Sequence, residues 1–273
     1  MDPISVTARR GVVVEAVHRV HVFTTGGRVW GDPELVSYLR SSSKPIQAIP
    51  LADAYDDLTD AELAIACASH QAEPAQLEAV RLLLARAGAH EHDLENGTQE
   101  GRPDGKLGHN CSGKHAGMLA ACRANGWPLD GYRLLDHPLQ RRIHELVGGG
   151  AIAIDGCGVP TFAMTLAESA ELLTRAPERI AAAMRARPEL VGGEGADDTD
   201  LMRDRPGWIA KRGAEGLFCA AHEDGTGIAL KVEDGSTRAL RPALGHVLGI
   251  DEFRSVPVRN SRDELVGEMT VAP

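Results

Sequence analysis

Lysine is scarce in this sequence: of 29 Lys and Arg side chains in 273 residues, only Lys44, Lys106, Lys114, Lys211 and Lys231 are lysines. Basic runs are missing as well, and the formal net charge of −10 argues against a phosphate-binding surface, which needs clustered Lys and Arg. No nucleic-acid partner is expected. No window approaches the roughly 18 consecutive apolar residues that a membrane span requires, and the opening MDPISVTARRGVVVEAV has only a short apolar stretch, unlike a secretory signal. No membrane partner is expected either. The cysteines, Cys67, Cys111, Cys122, Cys157 and Cys219, are odd in number and scattered, which excludes a disulfide framework and suits a reducing cytoplasm.

What is present is an ordinary globular composition, 43% apolar and 25% charged, long enough to bury a substantial core. Residues 11–31 read as strands: GVVVEAV, RVHVFT, then RVWG after a Thr25-Gly26-Gly27 turn. Helical spacing follows over 43–55, 60–68, 74–87, 113–125, 137–147, 165–175 and 177–186. The clearest of these is 74–87, with Pro74 in its first turn, Leu77, Val80, Leu84 and Ala87 on one face, and Gly88 as its stop. Past a Gly- and Asp-rich loop at 191–200, strands return as GLFCAAH, GIALKVE, VPVRN and LVGEMTV, with a short helix near 238–248. Strands that enclose a helical middle predict an α+β fold, one antiparallel sheet assembled from both chain ends with helices beside it. The expected organisation is a single domain over 1–273, strand-rich in 1–40 and 205–273 and mainly helical in 41–204.

In a chain that prefers arginine, a lysine marks a place where the proton can leave, because arginine effectively never deprotonates. Ser41-Ser42-Ser43-Lys44 puts a hydroxyl and an amine three residues apart ahead of a helix, a spacing that brings both to one face. For a lysine to take a serine proton near neutral pH, its pKa must fall by roughly 3 units, a differential stabilisation of about 4 kcal/mol that requires a dry pocket or a second cation. The bland alternative is a chance Ser-x-x-Lys, with Ser43 capping the helix. Lys211-Arg212-Gly213, ahead of the strand at 217–221, supplies a second lysine beside a glycine that lets substrate approach a strand edge. Its bland reading is a solvated charge.

Cys111-Ser112-Gly113-Lys114-His115 and the downstream Asp155-Gly156-Cys157 offer two thiols near nitrogen donors. The spacing is no zinc finger, and from spacing alone two buried cysteines are the better reading. Ser69 and His70 close a helical segment, where a histidine also suits the helix dipole. His18 and His21, three apart in a strand, point to opposite faces and read as structural.

Taken together, RSSSKPIQAIPL, CASHQAEPAQLEAV, HNCSGKHAGML, DHPLQRRI, DGCGVPTFAM, DTDLM, KRGAEG, ALKVEDG and PVRN resemble, in order and over nearly the whole chain, the asparaginase II family, the rhizobial-type L-asparaginases. The resemblance implies a fold related to serine β-lactamases and glutaminases, a homodimer, and hydrolysis of L-asparagine to L-aspartate and ammonia. It implies two serine-lysine pairs, Ser41 with Lys44 and Ser69 with Lys211, Ser41 being the nucleophile. It further implies a zinc ion on Cys111, Lys114 and Cys157, against the spacing-only reading, and substrate contacts from Asp155, Arg40 and His70. The chain departs from the family pattern in its shorter connections near 101–105 and 148–150, in Gln71-Ala72-Glu73 where Ser-Gly-Glu is usual, and in Ala196-Asp197 where Arg-Phe is usual. The competing readings are a serine-lysine amidase for glutamine, a β-lactam or another small amide, and a non-catalytic zinc- or ligand-binding domain.

Overall fold

The first strand, β1 (Ile4–Arg10), lies between β2 (Val13–Thr24) and the last strand, β11 (Leu265–Val271), antiparallel to both. Val6 sits opposite Val271 on one side and His18 on the other. A computed structural model describes residues 1–102 and 104–272. Its main sheet has the order β10 (Ser255–Arg259), β11, β1, β2, β9 (Gly227–Val232), β8 (Leu217–His222), β7 (Trp208–Arg212), with β3 (Val29–Trp30) paired to β2. The expected α+β architecture, a sheet built from both chain ends around a helical middle, is what the molecule adopts.

Alternation explains which face each strand buries. Ile4, Val6 and Ala8 of β1 are buried, and β8 is buried along all but its last residue because the helix Leu166–Thr174 covers it and β9. That helix starts at a reciprocal cap, Thr165 accepting from the Glu168 amide while the Glu168 carboxylate accepts from the Thr165 amide. In the middle region, Pro74–Ala87 stops at Gly88 (φ +58°) and Ser112–Asn125 at Gly126 (φ +67°), left-handed positions that glycine takes without strain. Among the described residues, no helix is long and apolar enough to cross a membrane.

The structure corrects the sequence reading in several places. GVVVEAV and RVHVFT belong to one strand, β2; Gly11 (φ +55°) is the turn before it, and β1 precedes them unforeseen. The helical middle contains a small sheet, β4 (Val36–Tyr38), β6 (Pro160–Thr165) and β5 (Ile152–Ile154). The Asp-rich segment expected as loop forms the helix Asp197–Asp204, with Asp197, Asp198 and Asp200 in its first turn, where negative charge is favourable. Lys211 lies inside β7 rather than ahead of a strand. His18 and His21 are buried and bonded to Asp234 (2.6 Å) and Glu233 (2.7 Å), a structural arrangement as expected.

Candidate active site

Arg40 stands at φ +49°, a left-handed conformation that costs a non-glycine residue on the order of 1–3 kcal/mol. The flanking structure holds it there. Its amide donates to Thr161 Oγ1 at 2.9 Å, the Leu39 amide donates to the Phe162 carbonyl at 3.0 Å, and its guanidinium Nε donates to Asp155 Oδ1. Directly after it the chain turns helical through Arg40–Ser43, Lys44–Gln47 and Ile49–Ala54. Ser42 Oγ donates back to the Leu39 carbonyl (2.7 Å) and Ser43 Oγ to the Arg40 carbonyl (3.0 Å). Ser43 therefore makes no side-chain cap, and Ser41 is the hydroxyl of the three that lines a cleft.

The cleft has a volume of about 400 Å³, and its walls include Ser41, Ser69, His70, Gln71, Arg102 and Arg212. A groove of about 480 Å³ elsewhere, beside Arg81, Gly88 and His90, holds none of the expected site residues. Gly213 brings β7 up to the serine segment: a Cβ there would stand 3.0 Å from the Leu39 carbonyl.

Lys44 is fully buried, and its Nζ donates to Ser69 Oγ at 3.1 Å and to the Ala68 carbonyl. Its recorded hydroxyl partner is thus Ser69, not Ser41 as the i,i+3 spacing suggested. The physical reason is the Ala68 carbonyl, which lies just past the helix Asp60–Ala66 and so takes no part in its hydrogen-bond ladder. Lys211, also fully buried, donates to Asp198 Oδ2 (3.3 Å) and to the Arg212 carbonyl (3.0 Å), and has no recorded bond to Ser69 among the described residues. Burial, reinforced by the positive charges of Lys44 and Arg212 and opposed by Asp198, lowers the Lys211 amine to about 8. Both lysines therefore sit beside the same cleft, each with a different partner from the one expected.

His70 is buried and its pKa falls to about 3, through desolvation first and then the charges of Lys44, Arg102 and His109. A neutral ring does not support the helix-dipole explanation of its position. Ser112 Oγ donates to the Leu107 carbonyl (2.8 Å), so His70 Nε2–H donates to Ser112 (2.8 Å), while Nδ1 accepts from the Ala72 amide (3.1 Å). With both nitrogens engaged, His70 positions the cleft wall. Arg40 and Asp155, expected to face substrate, bind each other; the Asp155 carboxyl is held below its usual range by Lys114 and Arg40 in spite of burial.

Cys111, Lys114 and Cys157 do converge. Lys114 Nζ donates to Cys157 Sγ at 3.0 Å, and the free thiols of Cys111 and Cys157 are close enough to influence each other's ionisation by hydrogen bonding. That hydrogen bonding, with the Lys44 and Lys114 charges, pulls Cys111 well below the ordinary thiol range and pushes Cys157 up, so the pair favours a thiolate on Cys111. Gly113 makes the cluster's position feasible, because a Cβ there would collide with the Ile65 carbonyl of the neighbouring helix. Two soft donors, one already inclined to ionise, and a buried lysine, whose raised proton affinity means that an incoming metal must displace its proton, fit a zinc ion by their chemistry. Among the described residues, no three His, Cys, Asp or Glu side chains form a metal-binding group, so the lysine is indispensable to such a site.

A family model described as L-asparaginase II matches residues 6–271, nearly the whole chain. The chain belongs to the L-asparaginase II family. It is accordingly an asparaginase-type amidohydrolase. A search of curated proteins gives no match. Among solved structures, a Bacteroides dorei protein described as a beta-lactamase candidate is similar at 11% identity over 84% of each chain, with a TM-score of 0.41; a likeness this distant carries no weight in the argument. Two of the departures from the asparaginase II pattern, those at Gln71 and Asp197, lie at the cleft. Gln71 Nε2 donates to the Gly192 and Glu194 carbonyls, both at 3.1 Å, and Asp197 lines the cleft while paired to Arg241 at 3.0 Å.

Sequence reasoning missed Asp198 and Arg102. The DTDLM segment was visible but no role attached to its first residue, because nothing in the spacing says that an Asp in a helical first turn reaches a lysine on the next strand. Arg102 was hidden in a stretch read only as a shortened connection.

Proposed function

We propose that the cleft hydrolyses the side-chain amide of L-asparagine to L-aspartate and ammonia, with Ser41 as the nucleophile and Lys44, Ser69 and Lys211 as its proton-handling groups. The observation that carries this reading is the fully buried Lys44 Nζ at 3.1 Å from the Ser69 hydroxyl, in the wall of the cleft that Ser41 also lines. Ser41 gives its proton toward the Ser69–Lys44 pair and attacks the amide carbon. That proton passes to the departing nitrogen, so ammonia leaves, and water, giving a proton to the same pair, then attacks the acyl-enzyme and releases aspartate as Ser41 regains its proton. The Ser41 backbone N–H is one of the two donors such a reaction needs for the developing oxyanion. Lys211, with a pKa of about 8, exchanges a proton near neutral pH. Arg40 and Asp155, each occupied by the other, act as positioning residues that hold the strained entry to Ser41.

Cys111, Lys114 and Cys157 hold a zinc ion in this reading. When bound, zinc supplies a fixed positive charge that ties the helix Ser112–Asn125 to the Asp155–Cys157 turn. The serine already supplies the nucleophile, so no step depends on metal-bound water.

The test is ammonia release by the purified protein from L-asparagine and, separately, from L-glutamine, with Ser41→Ala as control. Release from asparagine alone, lost in Ser41→Ala, is expected. Comparable release from glutamine replaces this reading with a broader amidase, and undiminished turnover by Ser41→Ala removes Ser41 as nucleophile.

A further inference from the structure

Four arginines surround the candidate site, and three of them are already engaged. Arg40 is bound to Asp155, Arg241 to Asp197 (3.0 Å) and Asp200 (2.7 Å), and Arg212 Nη2 donates to the Gly192 carbonyl at 3.3 Å with Nε 3.9 Å from Asp198. Arg102 differs. Its Nη1 is buried and has no hydrogen-bond partner among the described residues, although the side chain lines the cleft together with Ser41 and Ser69. Its charge reaches His70, whose proton affinity it helps to depress.

A buried, unpartnered guanidinium nitrogen is costly, since a charged donor removed from water loses its hydration and gains nothing in return. The segment that carries it is nonetheless fixed. The Arg102 amide donates to the Gln99 carbonyl at 3.1 Å, the Asn110 amide donates to Gln99 Oε1 at 2.9 Å, and Gly108 packs where a Cβ would stand 3.2 Å from Arg102 Cβ. A rigid segment holding an unsatisfied cation over a cleft is arranged for an anion that arrives from solution. Among the described residues, the one acid in the cleft walls, Asp197, is already held by Arg241, so the lining is net cationic.

We infer that Arg102 is a specificity-determining residue that binds the α-carboxylate of the amino-acid substrate. The planar guanidinium fork matches a carboxylate, and a neutral amide lacking that group leaves it unpaired. This rests on the amidohydrolase reading for the identity of the substrate, but the subsite can be tested without turnover.

Binding of L-asparagine is measured by calorimetry to Ser41→Ala and to Ser41→Ala/Arg102→Met, alongside kcat and KM of the wild type and Arg102→Met for L-asparagine and for 3-aminopropanamide, which is asparagine without its carboxylate. Loss of the charged contact is expected to weaken asparagine binding on the order of 10- to 100-fold and to raise KM with kcat nearly unchanged. Turnover of 3-aminopropanamide stays within about twofold of wild type, as expected when the removed interaction is absent from that substrate. Arg102→Lys restores part of the loss. Equal asparagine affinity with and without Arg102, no measurable asparagine binding to Ser41→Ala, or an equal fall for both substrates overturns the subsite. Absent turnover with asparagine binding that still depends on Arg102 overturns the proposed reaction and leaves the subsite standing.

Discussion

The cleft and the thiol cluster each bury a lysine completely or nearly so, yet they shift its proton affinity in opposite directions. Around Lys211, burial dominates and the neighbouring cations of Lys44 and Arg212 reinforce it, so the amine falls to about 8 despite Asp198. Around Lys114, burial presses the same way, but the negative character of Cys157 and Cys111 outweighs it and holds the amine up. Burial alone therefore does not make a lysine a base. The sign of the surrounding charge decides, and the chain places hydroxyls and ammonium groups at one site and thiols at the other.

The largest expected effects break the cleft side of this comparison. Ser41→Ala lowers ammonia release by roughly 10⁴-fold or more, the scale seen when a nucleophile is removed. Lys44→Arg, which keeps a positive charge that cannot be given up, is expected to do comparable damage while thermal unfolding stays cooperative. Turnover by Lys44→Arg within tenfold of wild type would show that Lys44 serves only as a cation.

On the other side, metal analysis of purified protein is expected to find about one zinc per chain, held by three protein ligands with one coordination position left open. Cys111→Ser removes the group that favours the thiolate and takes most of that zinc with it. Full retention of zinc in Cys111→Ser places the metal elsewhere. The comparison is sharpened by pH. The basic form of Lys211 is the competent one, so kcat/KM rises as pH climbs through about 8 and levels off above it. Asp198 opposes that fall in proton affinity; Asp198→Asn removes the opposition and moves the ionisation to lower pH, by on the order of one unit. A shift upward contradicts the assignment. The smallest effect is a control: Thr165→Ala loses the cap of the helix on β8 and β9, about 1 kcal/mol in denaturant unfolding, with kcat/KM unchanged.

Much of the fold was legible because hydrophobic period and glycine stops are local signals. The helix at Pro74–Ala87 carries its own start, face and stop, and its boundaries agree with the sequence reading. β1 and β7 were not legible, since ISVTARR and WIAKR are short, end in charged residues, and become strands through pairing with neighbours, on both sides for β1 and on one for β7. Composition misled at Asp197–Asp204, where acidic residues signal a loop by frequency and a helix start by electrostatics. At the site, the scarcity of lysine drew attention to the residues the structure later buries. Their partners were beyond reach, because Ser69 for Lys44 and Asp198 for Lys211 are set by how distant segments pack rather than by spacing along the chain.

One consequence follows from the position of β1 between β2 and β11. β1 must wait for β11 before its second edge is covered, and contacts of such long sequence separation close slowly. Lys211 enters from β7, well after Ser41, Lys44 and Ser69 have been made. A ribosome-bound chain therefore carries the serines of the cleft without the lysine that helps tune them. Its exposed β1 edge is meanwhile open to pairing with other chains. The cleft thus receives its second lysine from β7 before β11 arrives to cover the edge of β1.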